Sequence, residues 1–226
     1  MSFSSEWEKT YQASQHLSVW PWSDLVSYVC RYAKPTDGVV SRVLELGCGV
    51  GANIPFFLAN PFDYSSVEGS ASAVSVLHRA YPQLVNKIVV GDFTKEIPFS
   101  GEFDLIIDRV SLPHNSTEAI LNCLKVCFSK LKPGGKMIGI DWFSTEHKDS
   151  KKGDEVDLFT RTNLPSDSHL HGLGCVHFFN QEHLSYLLQE AGFTIQRLEH
   201  KSHDLYIPES QAGRLAWWHF VALKPE

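Results

Sequence analysis

The sequence of 226 residues predicts an α/β fold. We expect a doubly wound, mostly parallel seven-stranded sheet that ends in an antiparallel strand pair, with helices on both faces. Short apolar runs alternate with helical patterns, which is typical of a parallel sheet covered on both sides. A glycine-rich turn joins the first apolar run to a helix. The last two apolar runs flank residues 201–213, where no helix fits, so we predict that these two strands pair antiparallel.

Composition and charge narrow the class of protein. Apolar residues make up 43% of the chain, which is a globular composition. The formal net charge is −6 and no long Lys/Arg cluster occurs, which argues against nucleic acid as the partner. No apolar run approaches the length of a membrane span, so we expect no membrane partner. Five scattered cysteines indicate reduced thiols, and we therefore expect a cytoplasmic protein.

Residues 1–38 are predicted to form an N-terminal helical cap. Apolar residues recur at helical spacing after Trp22, and Pro21 suits a helix start. For Trp22 we favour packing on the core. Tyr11 and Trp20 either pack in the same way or belong to a lid whose aromatic faces meet a cationic ligand, and both interpretations stay open.

The alternation of strands and helices can be followed along the chain. Strands are predicted at residues 39–46, 64–67, 87–90, 103–107, 136–141, 193–199 and 215–223. Helices are predicted at residues 52–59, 71–81, 117–131 and 180–191. Residues 132–135 predict an abrupt turn. Residues 144–177 are too long for a normal connection, so we predict a lid-like insertion within a single domain of residues 1–226.

Carboxylates follow the strands at the edge of the sheet where ligands of such folds bind. The first strand contains Glu45 and runs into glycines at positions 47, 49 and 51, and the helix start beyond them offers free N–H groups. Acidic residues also follow the later strands, and they are Glu68, Asp92, Asp108 and Asp141. The glycine turn predicts a nucleotide-like ligand.

Two kinds of nucleotide-like ligand compete for this turn. Gly47-x-Gly49-x-x-Ala52 satisfies the loose dinucleotide pattern, and Glu68, about twenty residues further on, would bind the ribose. Glu45 disfavours a dinucleotide, because a carboxylate before the glycines would repel the pyrophosphate.

The segments resemble, in order, those of the class I S-adenosylmethionine-dependent methyltransferases. Residues 45–51 resemble the first motif of that family, and residues 91–93 resemble its adenine-binding segment. Residues 103–108 resemble its fourth strand, and residues 131–135 resemble one of its commonest signatures. The resemblance covers the chain from about residue 39 to residue 224. It implies a Rossmann-like fold, S-adenosyl-L-methionine as cofactor and S-adenosyl-L-homocysteine as product, and together with the acidic charge it favours a small-molecule acceptor.

The resemblance also implies roles for residues at the strand ends. Glu68 would accept hydrogen bonds from the ribose hydroxyls, Asp92 would accept one from the adenine amino group, and Phe93 would lie on the adenine ring. Glu45 would help to hold the glycine turn and the ammonium end of the cofactor. The expected cofactor-binding residues are Tyr11, Trp20, Glu45, Gly47, Cys48, Gly49, Asn53, Glu68, Gly69, Ser70, Asp92, Phe93, Asp108 and Arg109.

The sequence says less about which residues act on the methyl acceptor. Methyl transfer needs alignment and exclusion of water, and it needs a general base only where the acceptor loses a proton. His114 and Asp141 are the leading catalytic candidates because they follow strand ends. Further candidates are Asp108, His147, His171 and His177. Asp108 and Arg109 either form an internal ion pair, which we favour, or leave Arg109 to contact the cofactor or a substrate carboxylate or phosphate.

Other functions remain open. His169, His171, Cys175 and His177 are metal-ligand types, but their spacing matches no familiar site, so we expect no metal and favour a flexible, polar specificity loop. One alternative function is an NAD(P)-dependent oxidoreductase with a Rossmann fold. A second alternative is a non-catalytic cofactor-binding protein of the methyltransferase fold.

Overall fold

The computed structural model describes residues 5–12 and 18–226. Its helices of more than one turn are α1 Ser5–Gln12, α2 Ser23–Tyr32, α3 Ile54–Leu58, α4 Ala71–Ala80, α5 Thr117–Lys130 and α6 Gln181–Glu190. Its strands are β1 Ser41–Leu46, β2 Phe62–Glu68, β3 Ile88–Val90, β4 Phe103–Arg109, β5 Leu131–Phe143, β6 Asp154–Glu155, β7 Thr160–Thr162, β8 Val176–His177, β9 Thr194–Leu205 and β10 Gly213–Leu223.

The central sheet has seven strands in the order β3-β2-β1-β4-β5-β10-β9. The first five strands in this order run parallel, whereas β10 lies antiparallel between β5 and β9. The predicted fold class, including the antiparallel pair at the end, is confirmed. The strand order reverses direction between β1 and β4, and doubly wound sheets bind ligands at such a point, outside the carboxyl ends of the strands.

Helices cover both faces of the sheet. Successive side chains of a strand point to opposite faces, so one strand contributes to the core on both sides. In β4, Ile106 belongs to one buried cluster, and Leu105 and Ile107 belong to the other. Leu124 of α5 joins the first cluster, and Leu77 of α4 joins the second. Each such side chain stabilises the fold by about 1.5–3 kcal/mol when it is fully buried, so the two layers of core hold the carboxyl ends of the strands in place.

The largest difference from the predicted elements concerns β5. The predicted turn at residues 132–135 is a bulge inside this strand, which already begins at Leu131 and shifts its register against β4 there. Gly134 has a φ of +75°, and its N–H donates to the carbonyl oxygen of Lys224 at 2.9 Å. Strands on both sides pair with the backbone of β5, and only the assembled sheet supplies those partners.

The insertion at residues 144–177 contains regular structure, whereas we expected a polar loop. Strands β6, β7 and β8 form a small antiparallel sheet within it. A separate apolar cluster supports this sheet, and its buried members are Phe143, Leu164, Leu170, Val176 and Phe178. These residues are spaced without helical or strand periodicity, so the sequence pattern does not reveal the cluster.

The N-terminal segment packs on the sheet through α2. Leu25 and Val29 of this helix are fully buried against the α3–α4 side of the sheet. Helices α1 and α2 are the helices that the structure describes within residues 1–38. Among the described helices, none has both the length and the apolar character needed to cross a membrane.

Candidate active site

A cavity of about 280 Å³ opens at the carboxyl ends of β1, β2 and β4. This is the crevice that the reversal of strand order predicts. The glycine turn after β1, the ends of β2 and β3, and the loop after β4 form its floor and walls. Residues of the N-terminal segment cover it. Its lining residues include Trp7, Tyr11, Trp22, Glu45, Gly47, Cys48, Gly49, Asn53, Glu68, Gly69, Asp92, Phe93, Arg109, Ser111, His114 and Asn115.

The glycine turn leaves no room for side chains. Gly47 and Gly49 have φ values of +64° and +54°, a region that residues other than glycine rarely adopt. A Cβ on Gly47 would lie 2.5 Å from the Cβ of Ser111, and a Cβ on Gly49 would lie 2.6 Å from the Tyr11 hydroxyl oxygen. The turn therefore exposes bare backbone to the cavity.

Glu68 lies at the end of β2 and is 3% exposed. Its Oε2 accepts a hydrogen bond from the Gly49 N–H, and its Oε1 accepts one from the Ser70 N–H, both at 2.8 Å. Burial raises the pKa of Glu68, although these backbone hydrogen bonds oppose the rise. Each oxygen keeps a second lone pair, so the carboxylate can accept two further hydrogen bonds from a diol in the cavity.

Glu45 has two protein partners beside the cavity. Its Oε1 accepts a hydrogen bond from Asn53 Nδ2 at 2.7 Å, and its Oε2 accepts one from the Tyr64 hydroxyl. The Oδ1 atom of Asn53 in turn accepts from the Trp22 N–H at 3.2 Å. Glu45 therefore ties the glycine turn to β2 and to the N-terminal segment, and burial raises its pKa.

Asp92 and Phe93 follow β3 and also line the cavity. Asp92 Oδ1 accepts hydrogen bonds from the Thr94 N–H at 3.1 Å and from the Thr94 hydroxyl at 2.6 Å. Lys95 Nζ lies 3.1 Å from Asp92 Oδ2. Asp92 thus stabilises its own turn.

Arg109 is held by an acid from the neighbouring strand. Its Nε and Nη2 atoms both lie 3.0 Å from Asp141 Oδ2, and its guanidinium carbon lies 3.7 Å from the centre of the Trp22 ring. Asp141 Oδ1 accepts a hydrogen bond from His219 Nε2 at 3.0 Å. Burial alone would raise the pKa of Asp141, but His219 and Arg109 outweigh burial and lower it.

His114 lines the cavity in a fixed orientation. Its Nδ1 lies 2.9 Å from the Cys175 carbonyl oxygen, and because a carbonyl accepts, Nδ1 carries the proton and Nε2 the lone pair. The ring packs edge-on against Trp7 and Phe143. Burial lowers the pKa of His114 to about 4, so the ring is neutral and its Nε2 is unprotonated near pH 7.

Comparison with protein-family models gives the deciding observation. A model described as a methyltransferase domain matches residues 21–198, which is most of the chain. The chain belongs to this methyltransferase family. The predicted membership of the class I S-adenosylmethionine-dependent methyltransferases is thereby confirmed. No curated protein sequence matches the chain.

Solved structures of the same fold are distant in sequence from this methyltransferase. An S-adenosylmethionine-dependent methyltransferase from Methanosarcina mazei is 16% identical, with a TM-score of 0.63 over 91% of this chain and 99% of that one. The 1,6-didemethyltoxoflavin-N1-methyltransferase from Burkholderia thailandensis, with bound 1,6-didemethyltoxoflavin and S-adenosylhomocysteine, is 17% identical. Its TM-score is 0.63 over 98% of this chain and 87% of that one. At such identities the likeness establishes the fold.

Three expected cofactor-binding residues of the methyltransferase do not line the cavity. Trp20 is 74% exposed, and Trp22, for which we favoured packing on the core, lines the cavity instead. The hydroxyl of Ser70 caps α4 by accepting from the Ala73 N–H. Asp108 is fully buried beneath the loop after β4.

Asp108 does not form the expected ion pair with Arg109, whose partner is Asp141 from β5. Asp108 Oδ1 accepts from the Leu112 N–H at 2.9 Å, and its Oδ2 accepts from Trp142 Nε1 at 2.7 Å. The sequence places Asp108 and Arg109 side by side, but adjacent side chains of a strand point to opposite faces and cannot pair.

Replacing Asp108 by asparagine is expected to change how stability depends on pH. Burial raises the pKa of Asp108 from 3.8 to about 7. A raised pKa means that the stability associated with the protonated carboxyl is present below pH 4 and is lost as the pH rises to 7. The difference in the free energy of unfolding is on the order of 4 kcal/mol.

Asp108→Asn should remove this loss of stability between pH 4 and pH 7, whereas Asp37→Asn, at an exposed position, should retain the loss. Urea unfolding at pH 4, 5.5 and 7 measures the effect, and equal pH dependence in wild type and Asp108→Asn would contradict it.

Helix α1 lies over the cavity and is fastened to α4. Both Ser70 and Ser72, at the start of α4, donate hydroxyl hydrogen bonds to the Glu8 carboxylate. These hydrogen bonds lower the pKa of Glu8, and a carboxylate at a helix N-terminus is also favoured by the helix dipole. Tyr11 and Trp7 of the same helix line the cavity. The lid interpretation of Tyr11 thus fits its position.

Replacing Glu8 by alanine is expected to loosen this lid. The loss of two charge-assisted hydrogen bonds should weaken binding of S-adenosylhomocysteine by about 5- to 30-fold, mainly through faster dissociation. Lys9→Ala is the matched control, because Lys9 is exposed on the same helix and lies outside the cavity lining. Stopped-flow dissociation measures the effect. Equal dissociation rates for Glu8→Ala and wild type would show that this fastening does not govern access.

The remaining histidine candidates lie outside the cavity. His171 Nδ1 contacts the Leu164 carbonyl oxygen at 2.6 Å, and His177 contacts the Thr160 hydroxyl and His183. Asp141 also stands outside the lining, with both carboxylate oxygens in use, so it is no longer a leading catalytic candidate.

The structure does not bring together the His/Cys set of the insertion. Of the described residues it groups instead His147, Asp149 and His169, and separately Asp24, Asp141 and His219. The carboxylates in both groups already face cationic partners. Lys152 lies 3.0 Å from Asp149, Lys201 lies 2.8 Å from Asp24, and Arg109 holds Asp141. These contacts make ion-pair networks the better description of both groups.

Sequence reasoning missed several lining residues, chiefly Trp7, Trp22, Ser111 and Asn115. The density of aromatic residues before the first strand was the available signal for the two tryptophans. For Ser111 and Asn115 the signal was their place on the loop after β4.

Proposed function

We propose that this methyltransferase moves a methyl group from S-adenosyl-L-methionine to a small-molecule acceptor and releases S-adenosyl-L-homocysteine. The observation that carries the proposal is the pairing of the buried Glu68 carboxylate with the bare glycine turn at one cavity. This pairing provides acceptors for a ribose diol next to backbone that an elongated ligand can approach closely.

The charges in the cavity favour this cofactor over a dinucleotide. Glu45 and Glu68 both lie beside the glycine turn, and Asp92 lines the same cavity. A pyrophosphate would bring negative charge against these acids. The sulfonium and ammonium groups of S-adenosyl-L-methionine are instead attracted by them. The proposal assigns the adenine contact to Asp92 and Phe93, which line the same cavity.

The protein's part in the reaction is alignment and exclusion of water. When bound, S-adenosyl-L-methionine would supply a methyl group that its sulfonium already activates for in-line displacement by the acceptor. Helix α1, with Trp7 and Tyr11, closes the cavity over this step. Alignment of the two reactants can contribute on the order of 7–11 kcal/mol to the rate.

His114 is proposed as the general base for acceptors that lose a proton. Its Nε2 lone pair receives that proton, while Nδ1 stays bonded to the Cys175 carbonyl oxygen. Trp7 and Phe143 hold the ring from the sides. The insertion therefore acts on the reaction through Cys175, which fixes the tautomer of the base.

Calorimetry with S-adenosylhomocysteine and with NAD tests the cofactor. Binding of S-adenosylhomocysteine without binding of NAD supports the proposal, and the reverse result would replace it by the oxidoreductase alternative. Incubation of a metabolite extract with isotopically labelled cofactor, followed by mass spectrometry, then identifies the acceptor. Cofactor binding with no labelled product from any extract would favour the non-catalytic alternative.

A further inference from the structure

Arg109 is the only Lys or Arg among the described residues that line the cavity. Three carboxylates share that lining with it, so the cavity as a whole suits a cationic ligand. A single arginine in such a place would be expected to collapse onto the nearest acid of the lining. It does not, because its partner is Asp141, which stands outside the lining.

The guanidinium is fixed from two directions. One edge, Nε and Nη2, lies on Asp141 Oδ2, and one face lies on the Trp22 ring. The other edge, at Nη1, has no hydrogen-bond partner among the described residues, and the Arg109 side chain is 26% exposed. A planar group held in this way presents its remaining N–H donors without further loss of conformational freedom.

The support behind Arg109 continues into the core. Asp141 has a positive φ of 62°, an uncommon conformation for residues other than glycine, and its second oxygen is held by His219, which is 1% exposed. Strain of this kind persists only where surrounding contacts impose it. The chain of contacts from His219 through Asp141 to Arg109 thus positions the guanidinium at the cavity wall.

We propose that the free edge of Arg109 receives an anionic oxygen, above all a carboxylate, from a ligand in the cavity. This inference rests on the proposed function. Two sources offer that chemistry, which are the amino-acid end of the cofactor and an acidic group on the acceptor. In the second case the acceptor is an anionic small molecule, enclosed by the aromatic walls that Trp7 and Trp22 provide.

The first arm of the test compares two ligands that differ at the amino-acid end. S-adenosylhomocysteine carries the carboxylate, and 5′-methylthioadenosine lacks it. Calorimetry on Arg109→Met should give an affinity for S-adenosylhomocysteine that is lower by at least about tenfold, with 5′-methylthioadenosine unchanged, if the cofactor is the source. Arg109→Lys is the conservative variant, because it keeps a positive charge beside Asp141 and so preserves the ion pair that supports the fold.

The second arm uses benzoate as a probe in protein saturated with S-adenosylhomocysteine. If the acceptor is the source, ligand-observed NMR should detect benzoate on the wild type and not on Arg109→Met. Arg42→Met is the matched control for both arms. Arg42 also lies over an aromatic ring, 4.7 Å from the centre of Phe103, and lies near an acid, but it is outside the cavity lining.

Dependence on Arg109 in either arm supports the inference and identifies the source. An unchanged affinity for S-adenosylhomocysteine, together with no benzoate binding that depends on Arg109, overturns it. A wild type that fails to bind S-adenosylhomocysteine at all overturns the proposed function instead, so the two failures are distinct. Unchanged binding of 5′-methylthioadenosine shows that each variant retains an intact cavity.

Discussion

Replacing Glu68 by alanine is expected to lower the affinity for S-adenosylhomocysteine by about a hundredfold or more. The variant loses the two hydrogen bonds that the ribose hydroxyls are proposed to donate to the Glu68 carboxylate, each contributing about 1.5–3 kcal/mol. It also leaves the N–H groups of Gly49 and Ser70 without their partner, so the glycine turn and the start of α4 lose a shared support. Both effects weaken binding.

Calorimetry measures the affinity, and a control variant separates binding from folding. Asp63→Ala is suitable because Asp63 lies on the same strand but faces Lys87 and Arg42 outside the cavity. Glu68→Gln is a second variant that helps to separate the lost contact with the ribose from the lost support of the glycine turn. Its amide keeps the size of the side chain, but its NH₂ group cannot accept from a backbone N–H. Affinity within threefold of wild type for Glu68→Ala would remove Glu68 from the ribose site.

Replacing His114 by glutamine is expected to reduce methyl transfer while cofactor binding persists. A positioned general base contributes about 10²- to 10⁴-fold, so turnover with the identified acceptor should fall by about that factor. Affinity for S-adenosylhomocysteine should change by less than about threefold, because Glu68 and the glycine turn, which are proposed to hold this ligand, lie elsewhere in the cavity. His171→Gln is the matched control, since His171 belongs to the insertion and lies outside the cavity.

The pH dependence provides a second measurement of the same role. The pKa of His114 is lowered to about 4 by burial, so the basic form is present at every pH above that value. The acid limb of wild-type turnover should therefore lie near pH 4 and not near 6.5, the ordinary value for histidine. Full activity in His114→Gln, or a wild-type acid limb near pH 6.5 that His114→Gln retains, would contradict the assignment.

Much of the fold could be predicted from the sequence because its signals are local. Apolar strands, helical periodicity and glycine turns are readable within short windows, and the order of elements then limits the topology to a doubly wound sheet. The carboxylate after each parallel strand could be placed at one edge for the same reason. Glu68 and Asp92 lie at that edge, and their proposed roles in binding follow from the resemblance to the methyltransferases.

Other features depended on contacts between distant parts of the chain. The sequence suggested Asp108 as the partner of Arg109, but the partner is Asp141, 32 positions away in the chain. The sequence offered Trp20 as a lid residue, but Trp22 contacts Arg109. Neither contact of Arg109 can be predicted from neighbouring residues in the sequence, because each depends on how β4, β5 and α2 pack together.

By itself the sequence determined the fold class and the acidic edge of the sheet, because periodicity and spacing are properties of contiguous residues, and the resemblance of its motifs indicated the family. Only the tertiary structure decided which of the candidate side chains face the cavity. It placed His114 on the Cys175 carbonyl, put Asp108 in the core, and ordered the insertion around its own apolar cluster. Burial and the choice of hydrogen-bond partner are set by neighbours remote in sequence, so they arise only when the chain is folded.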